Sequence, residues 1–113
     1  MESILTSVKK LLGITAEYKH FDTDIIIHIN SVFAILTQIG VGPAEGFAIQ
    51  DEFAEWTDFM EPDLRMEMVK SFVFLKVRLI FDPPASSALL EAMKQQISEL
   101  EWRLMTAAEL NNT

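Results

Sequence analysis

The stretch DTDIIIHINSVFAILTQIG, residues 22–40, decides the fold class. Its apolar positions Ile25, Ile29, Val32, Leu36 and Ile39 advance by four, three, four and three, the repeat that turns one stripe of a helix toward a core. A half-buried strand would alternate instead. Asp22 is the expected N-cap, with Phe21 before it and Ile26 four positions inside it as a hydrophobic staple. Gly40 stands where a glycine ends a helix.

Outward from this helix the spacing stays helical. Upstream, Ile4, Leu5, Val8, Leu11 and Leu12 describe a shorter amphipathic helix closed by Gly13. Downstream, residues 40–46 hold three of the four glycines and Pro43, which makes them the main loop and too short for a domain linker. Residues 49–59 carry Phe53, Trp56 and Phe59 at three-residue steps, expected as a short aromatic-faced helix or helical turn lying on the core as a lid. Pro62 is expected to open a long helix through Phe81. In it Met66, Val69, Phe72, Val73, Val77 and Ile80 line one face and Phe74, Leu75 and Leu79 populate others, which places it in the middle of the fold. A strand over residues 71–81 is the alternative, because Phe72, Val73, Phe74, Val77, Ile80 and Phe81 are good β formers. Asp82, Pro83 and Pro84 stop that segment, and Asp82, Ser86 or Ser87 caps the next. There Leu90, Met93, Ile97, Leu100 and Leu104 step by three and four, Glu99 can pair with Arg103, and the pattern fades near Asn111. The architecture read from this is an all-α bundle of four or five helices in one domain, residues 1–113.

Composition narrows the function. The 113 residues, half of them apolar with a mean hydropathy of +0.21, suffice for a packed core and exclude whole-chain disorder. Lys76 and Arg78 interrupt the richest apolar run, so no segment approaches the ~20 residues that span a bilayer. Residues 1–12 lack the apolar core and cleavage site of a signal peptide, and the absence of cysteine excludes disulfides and thiolate metal sites, so a cytoplasm-like compartment is expected. Nine basic against seventeen acidic residues give a net charge of −8, which repels phosphate backbones and disfavours sequence-reading nucleic-acid binding.

No reactive centre emerges. His20, Asp22, Asp24 and His28 have metal-ligand chemistry, but Asp22 is better used as a cap and the His-Glu-x-x-His pattern is missing, so no metal is expected. Between Glu45 and Glu67 lie eight acidic residues against the single basic Arg65. They read as a solvated face, which could also steer a basic partner, with no third group to complete an acid and base pair. Gly40, Gly42 and Pro43 follow a helix and lack the Gly-Lys-Ser or Gly-Lys-Thr ending of a phosphate loop. With no nucleophile elbow either, no catalytic residue and no cofactor are expected. Trp56 and Trp102 sit in acidic neighbourhoods. Trp102 lies roughly 110° around its helix from the Ile97, Leu100, Leu104 stripe, where a tryptophan serves well as an interface anchor.

Four blocks together resemble a known family: IIIHINSVF at residues 25–33, QIGVGP at 38–43, LIFDPP at 79–84 and ELEWRL at 99–104. In order and spacing they are similar to the small helical head–tail connector (adaptor) proteins of tailed bacteriophages. The resemblance implies a structural virion protein at the head–tail junction, made in the bacterial cytoplasm. It implies a homo-oligomeric ring, commonly of twelve subunits, beneath the portal protein, on which further neck or tail-completion proteins dock while packaged DNA passes through without being read. By resemblance the C-terminal helix and tail, residues 99–113, engage the portal, with Trp102, Arg103 and Leu104 as anchors and residues 105–113 as a flexible tail. Gly40, Gly42, Pro43 and Trp56 are then candidate loop or lateral surface. The alternative function is an acidic phage-encoded inhibitor or DNA mimic that captures a basic host protein. A small-terminase-like packaging protein would need a basic recognition helix that the chain lacks.

Overall fold

The expected helices form, and their ends follow local chemistry. A computed structural model describes residues 2–111. Helix α1 spans Ile4–Leu11, α2 Asp22–Gln38, α3 Trp56–Phe59, α4 Arg65–Phe81 and α5 Ser87–Asn111. No strand occurs among the described residues, so residues 71–81 resolve in favour of helix. A lone bridge, Ser3 to Glu55, ties the start of α1 to the start of α3.

Ser3 caps α1, its hydroxyl accepting from the Thr6 amide at 3.2 Å. Both α1 and α2 end in paired backbone bonds that use up their last carbonyls. Gly13 N–H donates to Lys10 O and Ile14 N–H to Lys9 O, while Gly40 N–H donates to Thr37 O and Val41 N–H to Leu36 O. This closure turns the residue after the cap left-handed, and Gly13 and Gly40 sit at φ +82° and +89°.

The start of α2 differs from expectation. Phe21 occupies the cap position, without a side-chain cap bond, and Asp22 is the first helical residue. Its carboxylate is drawn away by Lys9, whose Nζ lies 2.7 Å from Asp22 Oδ1. The ammonium is buried, 2% exposed, and also donates to Ala16 O at 3.1 Å and Tyr18 O at 2.7 Å. Two carbonyls accept hydrogen bonds from the ammonium and the Asp22 carboxylate balances its charge, so one lysine ties the connection between α1 and α2 to the core.

Between α2 and α3 the chain runs without regular structure, held by Asn30. Its Nδ2 donates to Ile49 O at 2.9 Å and its Oδ1 accepts from Ile49 N–H at 2.8 Å, as a neighbouring strand would. Helix α3 is a single turn with a reciprocal cap between Glu55 and Asp58. Trp56 and Phe59 face inward from it, but Phe53 precedes the helix and stands in solvent, 76% exposed, so only two of the three aromatics form the lid.

Helix α4 begins at Arg65, three residues after Pro62. Asp63 Oδ1 accepts from the Arg65 amide at 2.7 Å and holds a turn just ahead of the helix. It packs against α2 and α5 and touches α1, the central position its apolar content requires. Met66, Val69, Phe72, Val73, Leu75 and Val77 are buried, whereas Ile80, expected on the same face, is exposed near the helix end. Ser86 caps α5, its hydroxyl accepting from the Leu89 amide at 3.3 Å. At 25 residues α5 is about 37 Å long, in a slab of 43 × 35 × 20 Å. Helix continues through Asn111 with Ala108 buried, so residues 105–111 are not a loose tail. Residues 112 and 113, the remainder of the expected tail, lie outside the described residues.

Candidate functional site

Helix α5 presents two faces with different work. Met93, Ile97, Leu104 and Ala108 are buried and Leu100 half-buried, a stripe that closes the core over α4. Leu104 is fully buried, so its expected role as an anchor for another protein is corrected to one in the fold. Two residues earlier the helical repeat turns the side chain away from the core, and Trp102 is 60% exposed. Arg103 is exposed as well and forms an i,i+4 ion pair with Glu99, Nη2 to Oε1 at 2.9 Å.

Trp102 is not isolated. It lines a shallow groove with Met68, Arg103, Thr106, Ala107 and Leu110. A second groove, lined by Asp63, Leu64, Arg65, Ala107 and Leu110, shares two of those residues and continues the first. The start of α4 and the end of α5 thereby build one apolar surface. Leu64 at 93% and Leu110 at 71% are among its most exposed parts. Both grooves are open clefts on rigid helices, suited to receiving a protein surface and offering no convergent polar groups for chemistry. Asp63 and Arg65 border the patch as a closed pair, with Arg65 Nη2 3.0 Å from Asp63 Oδ2. That hydrogen-bonded guanidinium holds the Asp63 carboxyl below its ordinary value of 3.8.

The other expected surface residues divide. Trp56 is 1% exposed, its Nε1–H donating to Ser7 Oγ at 3.0 Å, and the ring packs edge-on to Phe33. It is a core residue and presents no lateral surface. Gly42 has φ +86°, and a Cβ there would lie 2.3 Å from Phe59 Cε1, so glycine is required by packing. Pro43 is half-buried and its carbonyl accepts from the Gly46 amide at 3.0 Å. Gly40 is exposed at the end of α2.

The acidic segment is largely engaged locally. Asp51 receives the Phe53 amide, Glu55 and Asp58 cap α3, Glu52 pairs with Lys19 and Glu67 with Lys70. His20 stacks edge-on against Phe21, and His28 meets Phe81. Among the described residues no group of three or more His, Cys, Asp or Glu could hold a metal ion, and no helix is long and apolar enough to cross a membrane. Leu64, Met68 and Leu110 were not singled out in the sequence. Their signal, apolar side chains at the margins of two helical stripes, looks the same there as the edge of a core.

With this geometry in place, comparison with known proteins adds one finding. The family model described as phage connector protein matches residues 4–111, from the first residue of α1 to the last of α5. No curated protein and no solved structure matches the chain.

Proposed function

Because the chain belongs to the phage connector protein family, whose members are structural proteins, we propose that it assembles as a ring, of twelve subunits in the virion, under the portal and joins the DNA-filled head to the tail. The family match over all five helices carries this reading. Portal protein on one side and neck or tail-completion proteins on the other are the partners. The end of α5 is the portal-facing element, with Trp102 its anchor and Arg103, fixed by Glu99, beside it. The structure supports this choice in that a large aromatic is held exposed on a rigid helix among other exposed apolar side chains. The exposed loop at Gly40 and Gly42 and the acidic segment following it serve as lateral or tail-facing surface. Where acidic side chains line the channel they repel the duplex and let it slide.

Negative-stain electron microscopy of the purified protein, alone and mixed with its portal, tests the proposal. Rings on the portal are expected, with occupancy strongly reduced by Trp102→Ala. A small stoichiometric complex with one basic protein, and no ring under any condition, would overturn it.

A further inference from the structure

We infer that Lys9 is a catch that keeps α1 in its own subunit, and that opening it lets α1 exchange with the same helix of a second copy. The inference goes beyond the proposed function, and its test needs neither ring nor portal.

Helix α1 fits the fold as a plug fits a socket. Ile4, Leu5 and Val8 are buried in the core, and Ser7 Oγ accepts from the indole of Trp56. Its leading edge is joined to the chain at the start of α3 by backbone bonds, Ile4 N–H to Ala54 O at 3.0 Å and Trp56 N–H to Glu2 O at 3.4 Å. Trp56 lies 49 residues beyond Ser7. Contacts of such separation can be made as well by the α1 of another copy, whose plug and socket are identical.

The connection, residues 12–21, decides between the two. Among the described residues, its hydrogen-bonded amides donate back to α1 or within the connection, as Ile14 does to Lys9 O and Tyr18 to Thr15 O. Its exposed Lys19–Glu52 pair adds little. Extended, ten residues reach about 33 Å, more than the 20 Å thickness of the slab. Lys9 opposes that extension. Its ammonium gathers Ala16 O, Tyr18 O and the Asp22 carboxylate, and so folds the connection back onto the end of α1. Without the ammonium, the closed form holds those oxygens together with no donor, at a desolvation cost. An exchanged form escapes that cost, because its connection opens to water while each plug keeps its contacts in the neighbour's socket. Loss of the ammonium therefore penalises the closed subunit alone. Two copies exchanged in this way are closed by a two-fold axis, a dead end for a head-to-tail ring, so the catch also protects assembly.

The test uses the full chain, which has no cysteine of its own. Ser3 and Glu55 face each other across the lone bridge between plug and socket, close enough for a disulfide in an antiparallel pair. With Ser3→Cys and Glu55→Cys, oxidation links one chain to itself in the closed subunit and two chains to each other in the exchanged pair. A denaturing gel without reductant separates these products. With Lys9 in place the bond is expected within the chain. Adding Lys9→Met at the same protein concentration should raise the linked-dimer fraction at least roughly tenfold, with helix content retained by circular dichroism. Should Lys9→Met not fold, Asp22→Asn, which leaves both carbonyl bonds, is read in its place and should give a smaller rise in the same direction. No rise in the variant so read overturns the inference. So does a dimer whose cysteines pair within each chain, or abundant interchain bonds while Lys9 is intact. Failure to form rings on the portal would count against the connector reading and leave each of these outcomes unchanged.

Discussion

Replacing Gly42 by alanine should destabilise the subunit far more than the same change at Gly13, because only at Gly42 is the space for a Cβ already occupied. Both residues have positive φ, +86° and +82°, so each alanine pays a left-handed penalty of roughly 1–2 kcal/mol. Each also gains about 0.4–1 kcal/mol from a stiffer unfolded chain. These contributions cancel between the two variants. What remains is space. Nothing lies within 4 Å of a Cβ at Gly13, whereas one at Gly42 would meet Phe59 Cε1 at 2.3 Å and Cζ at 2.6 Å. The Phe59 ring has little room to retreat, being 2% exposed and packed at centroid distances of 4.7 Å from Phe33 and 5.3 Å from Phe47. Overpacking of this kind costs about 1–3 kcal/mol, and Gly42→Ala should exceed Gly13→Ala by that amount. Urea titrations followed by far-ultraviolet circular dichroism give both values. A double variant Gly42→Ala with Phe59→Leu should be more stable than the sum of its parts, because the shorter side chain vacates the contested space. Gly42→Ala and Gly13→Ala falling within about 0.5 kcal/mol of each other, the usual error of additivity, would refute the reasoning.

Three further outcomes follow from the same structure. Lys9→Met leaves the Asp22 carboxylate and the Ala16 and Tyr18 carbonyls without their ammonium. It should cost about 3 kcal/mol, the lower end for a broken buried pair because Asp22 is partly reached by water. Asp22→Asn should cost less, and the reverse order in denaturant melts would show that the ammonium is not what holds this corner. Asn30→Ala removes two hydrogen bonds to Ile49, about 1–2 kcal/mol together. Hydrogen exchange at the Ile49 amide should quicken more than exchange in the middle of α2, and equal acceleration at both would count against a local clasp. Because the Asp63 carboxyl is held below 3.8 by Arg65, its contribution is present above that value and lost as pH falls through the lowered one. Asp63→Asn should therefore flatten the acid limb of the stability profile below about pH 4, and an unchanged limb would rule the pair out as its source.

Much of the fold was legible because the apolar repeat is local information. The stripes of α2 and α5, the closing glycines and the central place of α4 all follow from spacing and turn chemistry within a few residues. The same repeat already put Leu104 on the buried stripe of α5 and Trp102 off it. Family resemblance nominated both as anchors, and burial separates them. Other features depend on residues far apart in the chain. Lys9 in the last turn of α1 reads as a solvent-facing charge at the negative end of a helix dipole. The Asp22 carboxylate and the carbonyls of Ala16 and Tyr18, all brought to it by the chain beyond α1, make its burial tolerable, and the same pull takes Asp22 from its expected cap. Three-residue spacing suggested one aromatic face for Phe53, Trp56 and Phe59, but the helix is too short to include Phe53. The apolar surface between α4 and α5 was the least legible part, since Leu64 and Leu110 lie 46 residues apart and join only when α4 and α5 pack.

The seclusion of Lys9 has a practical consequence. An acylating reagent that attacks free amines meets Lys10 and Lys94 at the surface, but reaches Lys9 only when the 12–21 segment lifts away. The rate at which that one nitrogen acquires a label, read by mass spectrometry, therefore clocks the breathing of the first corner of the chain. Measured on isolated subunits and on assembled particles, the same clock reports whether incorporation into a larger body tightens that corner or leaves it as it was.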